Sequence, residues 1–130
     1  PAAAFVARGG DIAALGPGVT DPVRLPWPGA ERRGDAVTGE TLAADPFGNL
    51  VTSIRAADLG GEAVASAEVG GRAARWVRTF GEGDPGELLA LVGSGGRVEI
   101  AVREASAAAA IGRARGVSVR LVLGRGRGAC

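Results

Sequence analysis

The residues best equipped for chemistry are gathered in one short run, Asp45-Pro46-Phe47-Gly48-Asn49. An acid, an aromatic ring and a carboxamide share a tight loop there. Asn49 carries both a donor and an acceptor and can read the edge of a base. Phe47 offers a face on which a ring can stack, and Asp45 can hold a ligand ammonium. Together the three groups suit an aminoacyl nucleoside. The same residue types also form turns, and a plain β-turn explains them equally well. A second run, Gly93-Ser94-Gly95-Gly96, can lay backbone N–H groups and the Ser94 hydroxyl against a carboxylate or phosphate. It lacks the Gly-Lys-Ser/Thr ending of a P-loop, and a flexible hairpin turn is the plainer reading. Glu82 with Asp84, and Asp35 with Glu40, show no spacing that marks a general acid/base pair, so solvated turns suffice.

Several chemistries are excluded outright. The 130 residues contain no His, which removes Ser-His-Asp and Cys-His nucleophile pairs and His-ligated metal sites. The one Cys is Cys130, so no intrachain disulfide and no Cys-rich metal site can form. All 15 basic residues are Arg, against 14 acids, and a net charge of +1 does not mark a nucleic-acid binder. Arg32-Arg33, and Arg113, Arg115, Arg120, Arg125 and Arg127, could form a basic patch, but only Phe80 and Trp76 offer stacking near the folded part. Nucleic acid is therefore not the expected partner. No apolar run approaches the ~18 residues of a membrane span, and Pro1 to Val6 makes a poor signal peptide. A single thiol fits a reducing compartment, and a cytoplasmic location is expected.

These residues need a scaffold, and the chain changes texture as it supplies one. Residues 2–8 read as the end of a helix stopped by Gly9-Gly10, and Asp11 caps a short turn through Leu15. Residues 16–35 carry Pro17, Pro22, Pro26 and Pro28 and read as an extended linker. From Ala36 short strands alternate with Gly-rich turns. Residues 36–44 and 49–54 flank the Asp45 turn, and residues 62–69 and 72–80 flank Gly70-Gly71, a hairpin signal. In the latter strand the two-residue period puts Ala74, Trp76, Arg78 and Phe80 on one face. Residues 87–93 are a continuous apolar run, read as a buried strand. In residues 97–103, Val98, Ile100 and Val102 point one way and Arg97, Glu99 and Arg103 the other. Residues 106–111 predict a short helix ended by Gly112, and residues 117–123 alternate again. The expected fold is mainly β, a small antiparallel barrel or sandwich of about seven short strands with one short helix. It is preceded by a helical tail and a Pro-rich linker. The tail, residues 124–130, is Gly/Arg-rich and reads as disordered.

Taken in order, DPFGNLVTSI (45–54), RTFGEGDPGELLALVGSGGRVEIAV (78–102) and ASAAAAIG (105–112) resemble the C-terminal domain of the S-adenosylmethionine (SAM) hydroxide adenosyltransferases. The halide-using fluorinases and chlorinases are relatives within that family. The resemblance covers about residues 36–123, and PAAAFVARGGDIAALG looks like the segment that follows a Phe-Ala-Pro sequence at the end of the family's N-terminal domain. It implies a C-terminal fragment. Residues 1–16 would end a missing α/β domain, 17–35 would be the linker, 36–123 the β-barrel domain and 124–130 the tail.

The resemblance also implies a site between the N-terminal α/β domain of one subunit and the β domain of a neighbour, in a homotrimer. A nucleophile displaces methionine from the ribose 5′ carbon of SAM. With water or hydroxide the products are adenosine and L-methionine. No cofactor is implied beyond SAM as substrate, and no catalytic group is assigned to this half. Residue by residue, Asn49 would bond the adenine edge, Phe47 would line its pocket and Phe80 would stack on the adenosine. Ser94 would hold the amino-acid end and Asp45 its ammonium, while the backbone from Val102 to Glu104 would complete adenine recognition. Three positions depart from the pattern. Gly95 stands where halide-using members carry Arg, Asp45 lies one residue nearer Phe47 than their acid does, and Ser53 replaces the Asn of Thr-Asn-Ile. A halogenase half-site on the same fold, and a non-enzymatic barrel that binds nucleoside or RNA, are the alternatives.

Overall fold

A computed structural model describes residues 1–124 of the chain. The predicted tail therefore falls, except for Gly124, outside the described residues. Residues 1–30 carry a short helix α1 (Ala2–Ala7) and a 3-10 turn at Ile12–Leu15, whose cap is the Asp11 side chain accepting from the Ala13 N–H. Phe5, Val6, Ile12, Leu15, Val19, Val23, Leu25 and Trp27 are all exposed along this stretch. Three residues assigned to the linker form a strand, β1 (Glu31–Arg33), which pairs only with β2 (Ala36–Ala44).

The remaining strands are β3 (Leu50–Arg55), β4 (Val64–Val69), β5 (Arg72–Trp76), β6 (Leu88–Val92), β7 (Arg97–Val102) and β8 (Ser118–Leu123). Their order is β1-β2-β3-β7-β6-β5-β4-β8, and β8 pairs back onto β2. Seven strands, β2 to β8, thus close into a barrel with β1 outside it. Closure leaves none of these seven strands as a free edge, and β1 is the edge strand among the described residues. The pairing is antiparallel except between β5 and β6, which run parallel, so the barrel is mixed rather than wholly antiparallel.

Local sequence explains the close approaches. Gly70 and Gly71 take φ of +55° and +78°, the left-handed backbone of a tight hairpin. Gly39 has no substitute where β2 crosses β3, because a Cβ there would meet Ser53 Oγ at 2.5 Å and Ile54 Cγ1 at 2.6 Å. The Ser53 hydroxyl instead accepts the Glu40 N–H at 3.0 Å, which gives this buried residue a structural role. Buried Thr41 ties β2 to the segment entering β8, with its Oγ1 accepting from the Val117 N–H at 3.0 Å.

The barrel interior holds Val37, Leu50, Ile54, Val69, Ala90, Val98, Ile100, Val119, Leu121 and Leu123. A second, smaller cluster joins Val77, Leu89, Leu91 and Ala101. Leu89 and Leu91 alternate with Leu88 and Ala90, so they lie on the opposite, outer face of β6. That face is roofed by the chain between β5 and β6. Gly83 lies so close over Leu89 that a Cβ would meet its Cδ2 at 2.6 Å. The apolar run of β6 is continuous because both of its faces are covered. The short helix α2 (Ala107–Ile111) begins at Ser106, whose Oγ accepts the Ala109 N–H, and ends at left-handed Gly112.

Candidate functional site

The turn between β2 and β3 is built by Asp45. Its Oδ1 accepts the N–H groups of Phe47 at 2.8 Å and Asn49 at 2.9 Å, and its Oδ2 accepts Asn49 Nδ2 at 2.9 Å. The turn is closed by the Gly48 N–H donating to the Asp45 carbonyl at 3.0 Å. Gly48 has φ +86°, and a Cβ on it would collide with Ser106 Oγ, so the turn sits directly on the start of α2. The plain-turn reading holds, and the turn leaves the groups of the functional reading arranged around it. The turn is real, and its hydrogen bonds fix one face of the Asn49 carboxamide while Phe47 stands out from it, 81 % exposed. Partial burial works against the Asp45 carboxylate. The Asn49 amide and the Asn49, Phe47 and Gly48 N–H groups outweigh it and hold the acid below its ordinary pKa.

Phe80 arrives from another direction. The expectation that it continues the face of Ala74 and Trp76 fails, because β5 stops at Trp76. The Val77 N–H turns to the Ala90 carbonyl, and Phe80 opens a 3-10 turn, Phe80–Glu82, in the loop that roofs β6. Phe80 is 43 % exposed.

The third contribution is the exit of β7. Val102 and Ala105 form a one-residue antiparallel bridge, and the Ala105 N–H donates to the Val102 carbonyl at 3.2 Å. Glu104 at the corner has φ +59°, the one non-glycine residue with positive φ among those described. A left-handed side-chain-bearing residue costs about 1–2 kcal/mol. Among the described residues, neither its N–H nor its carbonyl enters a backbone hydrogen bond.

These three pieces enclose a cleft of about 400 Å³ lined by Phe47, Asn49, Phe80, Val102, Arg103, Glu104 and Ala105. Five of the seven sequence-predicted residues meet there. Asp45 stands behind the cleft, bonded to Asn49. Ser94 is exposed in the turn between β6 and β7, at the opposite end of β7 from Val102. At about 3.4 Å per residue that end lies roughly 17 Å away. A hollow of about 370 Å³ beside β1, β2 and β8 is lined by glycines, Glu31, Glu40, Thr38 and Ser118, and it offers no ring to stack on.

Two charged residues were not singled out as site residues from the sequence. Glu99, placed by alternation on the face opposite Val98, Ile100 and Val102, lies directly over Gly93, where a Cβ would collide with its carboxylate. Burial, and then the negative charge of Asp45, push its pKa up. Arg103, read the same way, lines the cleft and reaches the Phe80 loop. Alternation alone correctly put both on the outer face. What it could not show is that a loop and a turn cover that face. Among the described residues no group of three or more acids, His or Cys is arranged to hold a metal ion. Nor is any described helix long and apolar enough to cross a membrane.

Comparison with known proteins bears on this geometry directly. Residues 39–120 match the family model described as the SAM hydroxide adenosyltransferase C-terminal domain. A (R)-S-adenosyl-L-methionine hydrolase of Thermus thermophilus is 41% identical, over 94% of this chain and 46% of that protein. A (R)-S-adenosyl-L-methionine hydrolase of Salinispora tropica is 38% identical, over 95% of this chain and 48% of that protein. Among solved structures, a conserved hypothetical protein from Thermus thermophilus superposes with TM-score 0.71 at 41% identity, over 94% of this chain and 49% of that one. An uncharacterised conserved protein from Thermotoga maritima gives 0.59 at 27% identity, over 78% of this chain and 41% of that one. The chain spans about half the length of the curated relatives it matches. On the matched span and these identities, the chain belongs to the SAM hydroxide adenosyltransferase family and corresponds to its C-terminal domain.

Proposed function

We propose that the cleft is the adenosine-binding half of a site at which SAM is hydrolysed to adenosine and L-methionine. The carrying observation is the Asn49 carboxamide. It is fixed by Asp45 in a cleft that also contains two exposed aromatic rings and the unbonded backbone of Glu104. One amide N–H is engaged by Asp45. The other N–H and the carbonyl oxygen remain for a base edge that offers an acceptor beside a donor, as adenine does. Phe47 and Phe80 supply the stacking faces.

The amino-acid end of the substrate is assigned to the other end of β7. There the Ser94 turn offers N–H groups and a hydroxyl. Nearer the cleft, one acceptor position on Asp45 Oδ2 remains close to Glu99, where the repulsion between the two carboxylates would be relieved by an ammonium. The roughly 17 Å between those ends suits a ligand of extended form. In the reaction, water or hydroxide forms a bond to the ribose 5′ carbon as the carbon–sulfur bond breaks. The electron pair leaves with sulfur as a neutral thioether, and the water proton goes to solvent or to a base. A sulfonium needs no protonation to depart, so this half requires no acid, which fits a chain without His. Its work is to hold the 5′ carbon for in-line attack.

The nucleophile is assigned to an N-terminal α/β domain, acting between subunits of a homotrimer in the cytoplasm. Support comes from the row of exposed apolar side chains between Phe5 and Trp27, surface of the kind that a neighbouring domain buries. Gly95 favours hydroxide over halide, since it offers no side chain beside Ser94. The test is product analysis on the full-length protein given SAM in chloride and in chloride-free buffer. Adenosine and methionine in equal amounts under both conditions are expected. A chlorinated nucleoside, or no turnover of SAM at all, would overturn this reading.

A further inference from the structure

We infer that Arg103 is a positioning residue that clamps the Phe80 loop over the cleft. The inference rests on the adenosine-binding reading above. The loop is seated on Leu89 through Gly83, and the Arg78–Glu82 ion pair and the bond from the Asp84 N–H to the Glu87 carboxylate lie along it. Its 3-10 turn has no side-chain cap and no buried residue, and its internal hydrogen bond runs from the Glu82 N–H to the Thr79 carbonyl at 3.2 Å. Gly81 lies within that turn and Gly83 directly follows it, and neither carries a side chain that could anchor it. The anchor comes from β7. Arg103 Nη1 donates to the Gly83 carbonyl at 2.5 Å and to the Gly81 carbonyl at 3.3 Å. Its Nε faces Glu104 Oε1 at 3.5 Å, which orients the guanidinium from the other side.

The backbone of the same residue adds to the seam. The Arg103 N–H donates to the Glu87 carbonyl, and its carbonyl accepts the Gly86 N–H at 2.9 Å. Arg103 is thus bonded to the loop at Gly81 and Gly83 and again at Gly86 and Glu87, and it forms part of the cleft wall. One side chain couples the left-handed corner at Glu104 to the position of the Phe80 ring. A planar guanidinium can meet two carbonyls and a carboxylate at once, whereas an ammonium on a flexible stem holds that geometry less well.

The test uses the full-length protein, with adenosine as titrant and SAM as substrate. Arg103→Met is expected to weaken adenosine binding about tenfold and to raise KM for SAM with little change in kcat. Arg103→Lys should fall between Met and wild type. In a Phe80→Ala background, Arg103→Met should cost no more than about twofold further, because the ring it positions is gone. Without any ligand, amide exchange of residues 80–83 should quicken in Arg103→Met while the barrel strands keep their protection. An equal loss with and without Phe80 would mean that Arg103 touches the ligand instead, and would overturn the positioning role. Unchanged exchange in the loop would overturn it as well. Wild-type protein that binds no adenosine would remove the site reading. The ligand-free exchange result still separates that failure from failure of the clamp.

Discussion

At the scale of single residues, Asp45 and Asn49 act as a pair. Asp45→Ala removes three hydrogen bonds from one turn, and a loss of about 1–2 kcal/mol in unfolding free energy is expected by denaturant titration. Adenosine affinity should fall with it, because Asn49 then loses its fixed orientation. The two neighbouring carboxylates have opposite pH signatures. Asp45 has a depressed pKa, so its contribution to stability is present above the ordinary aspartate range and lost as pH falls through the folded value. Glu99 has a raised pKa, so its contribution is complete below the ordinary glutamate range and lost as pH rises through the folded value. Glu99→Gln should therefore remove part of the decline in stability between mildly acidic and neutral pH, measured by thermal unfolding across that range. An unchanged pH profile would show that neither burial nor Asp45 raises the Glu99 pKa. The Asp45 to Asn49 run was legible as a candidate site because its residue types are unusual together. Glu99 and Arg103 were not, because a charge on the outer face of an alternating strand reads as solvated until the covering loop is known.

At the scale of elements, β6 shows what a local pattern can and cannot carry. Its unbroken apolar run correctly indicated a buried strand, and the buried Leu88–Leu91 confirm it. The cover on its outer face is the loop that also carries Phe80, so one packing contact supports both fold and site. Leu89→Ala is expected to cost about 2–5 kcal/mol, since Leu89 is wholly buried beneath Gly83. Adenosine affinity should weaken in parallel as the loop loses its seat. Loss of stability with unchanged adenosine affinity would separate the loop from the cleft. The two-residue period carried Phe80 along β5 because the sequence between Trp76 and Phe80 contains no glycine or proline to interrupt it. The interruption is tertiary, the turn of Val77 toward Ala90. A substitution at Gly48 tests the second wall. Gly48→Ala must adopt a left-handed backbone and displace Ser106, so destabilisation beyond about 1 kcal/mol is expected, with altered protection in α2 by hydrogen exchange.

At the scale of the whole molecule, barrel closure brings the site together. β3 leaves the Asn49 turn, and β7 pairs beside it with Leu50 opposite Ile100, so the turn and the exit of β7 become neighbours across about fifty residues of sequence. The number of barrel strands and the turn positions were readable from alternation and glycine spacing, whereas β1 was hidden in the segment read as a linker. The register of β3 on β7, the parallel pairing of β5 with β6 and the return of β8 to β2 were not, because they depend on which strands meet rather than on any strand's own pattern. The exposed apolar row between Phe5 and Trp27 marks where the account extends beyond this chain. The isolated chain is expected to release no adenosine from SAM, and the full-length protein is expected to do so. Equal turnover by the two would place the whole site within the barrel. Reading of adenine by Asn49 is tested by titrating adenosine into the full-length protein and its Asn49→Ala variant by calorimetry. The account predicts saturable binding that weakens about tenfold to a hundredfold in the variant, the equivalent of about 1–3 kcal/mol for a lost base-edge contact. Equal affinity in both proteins would contradict it.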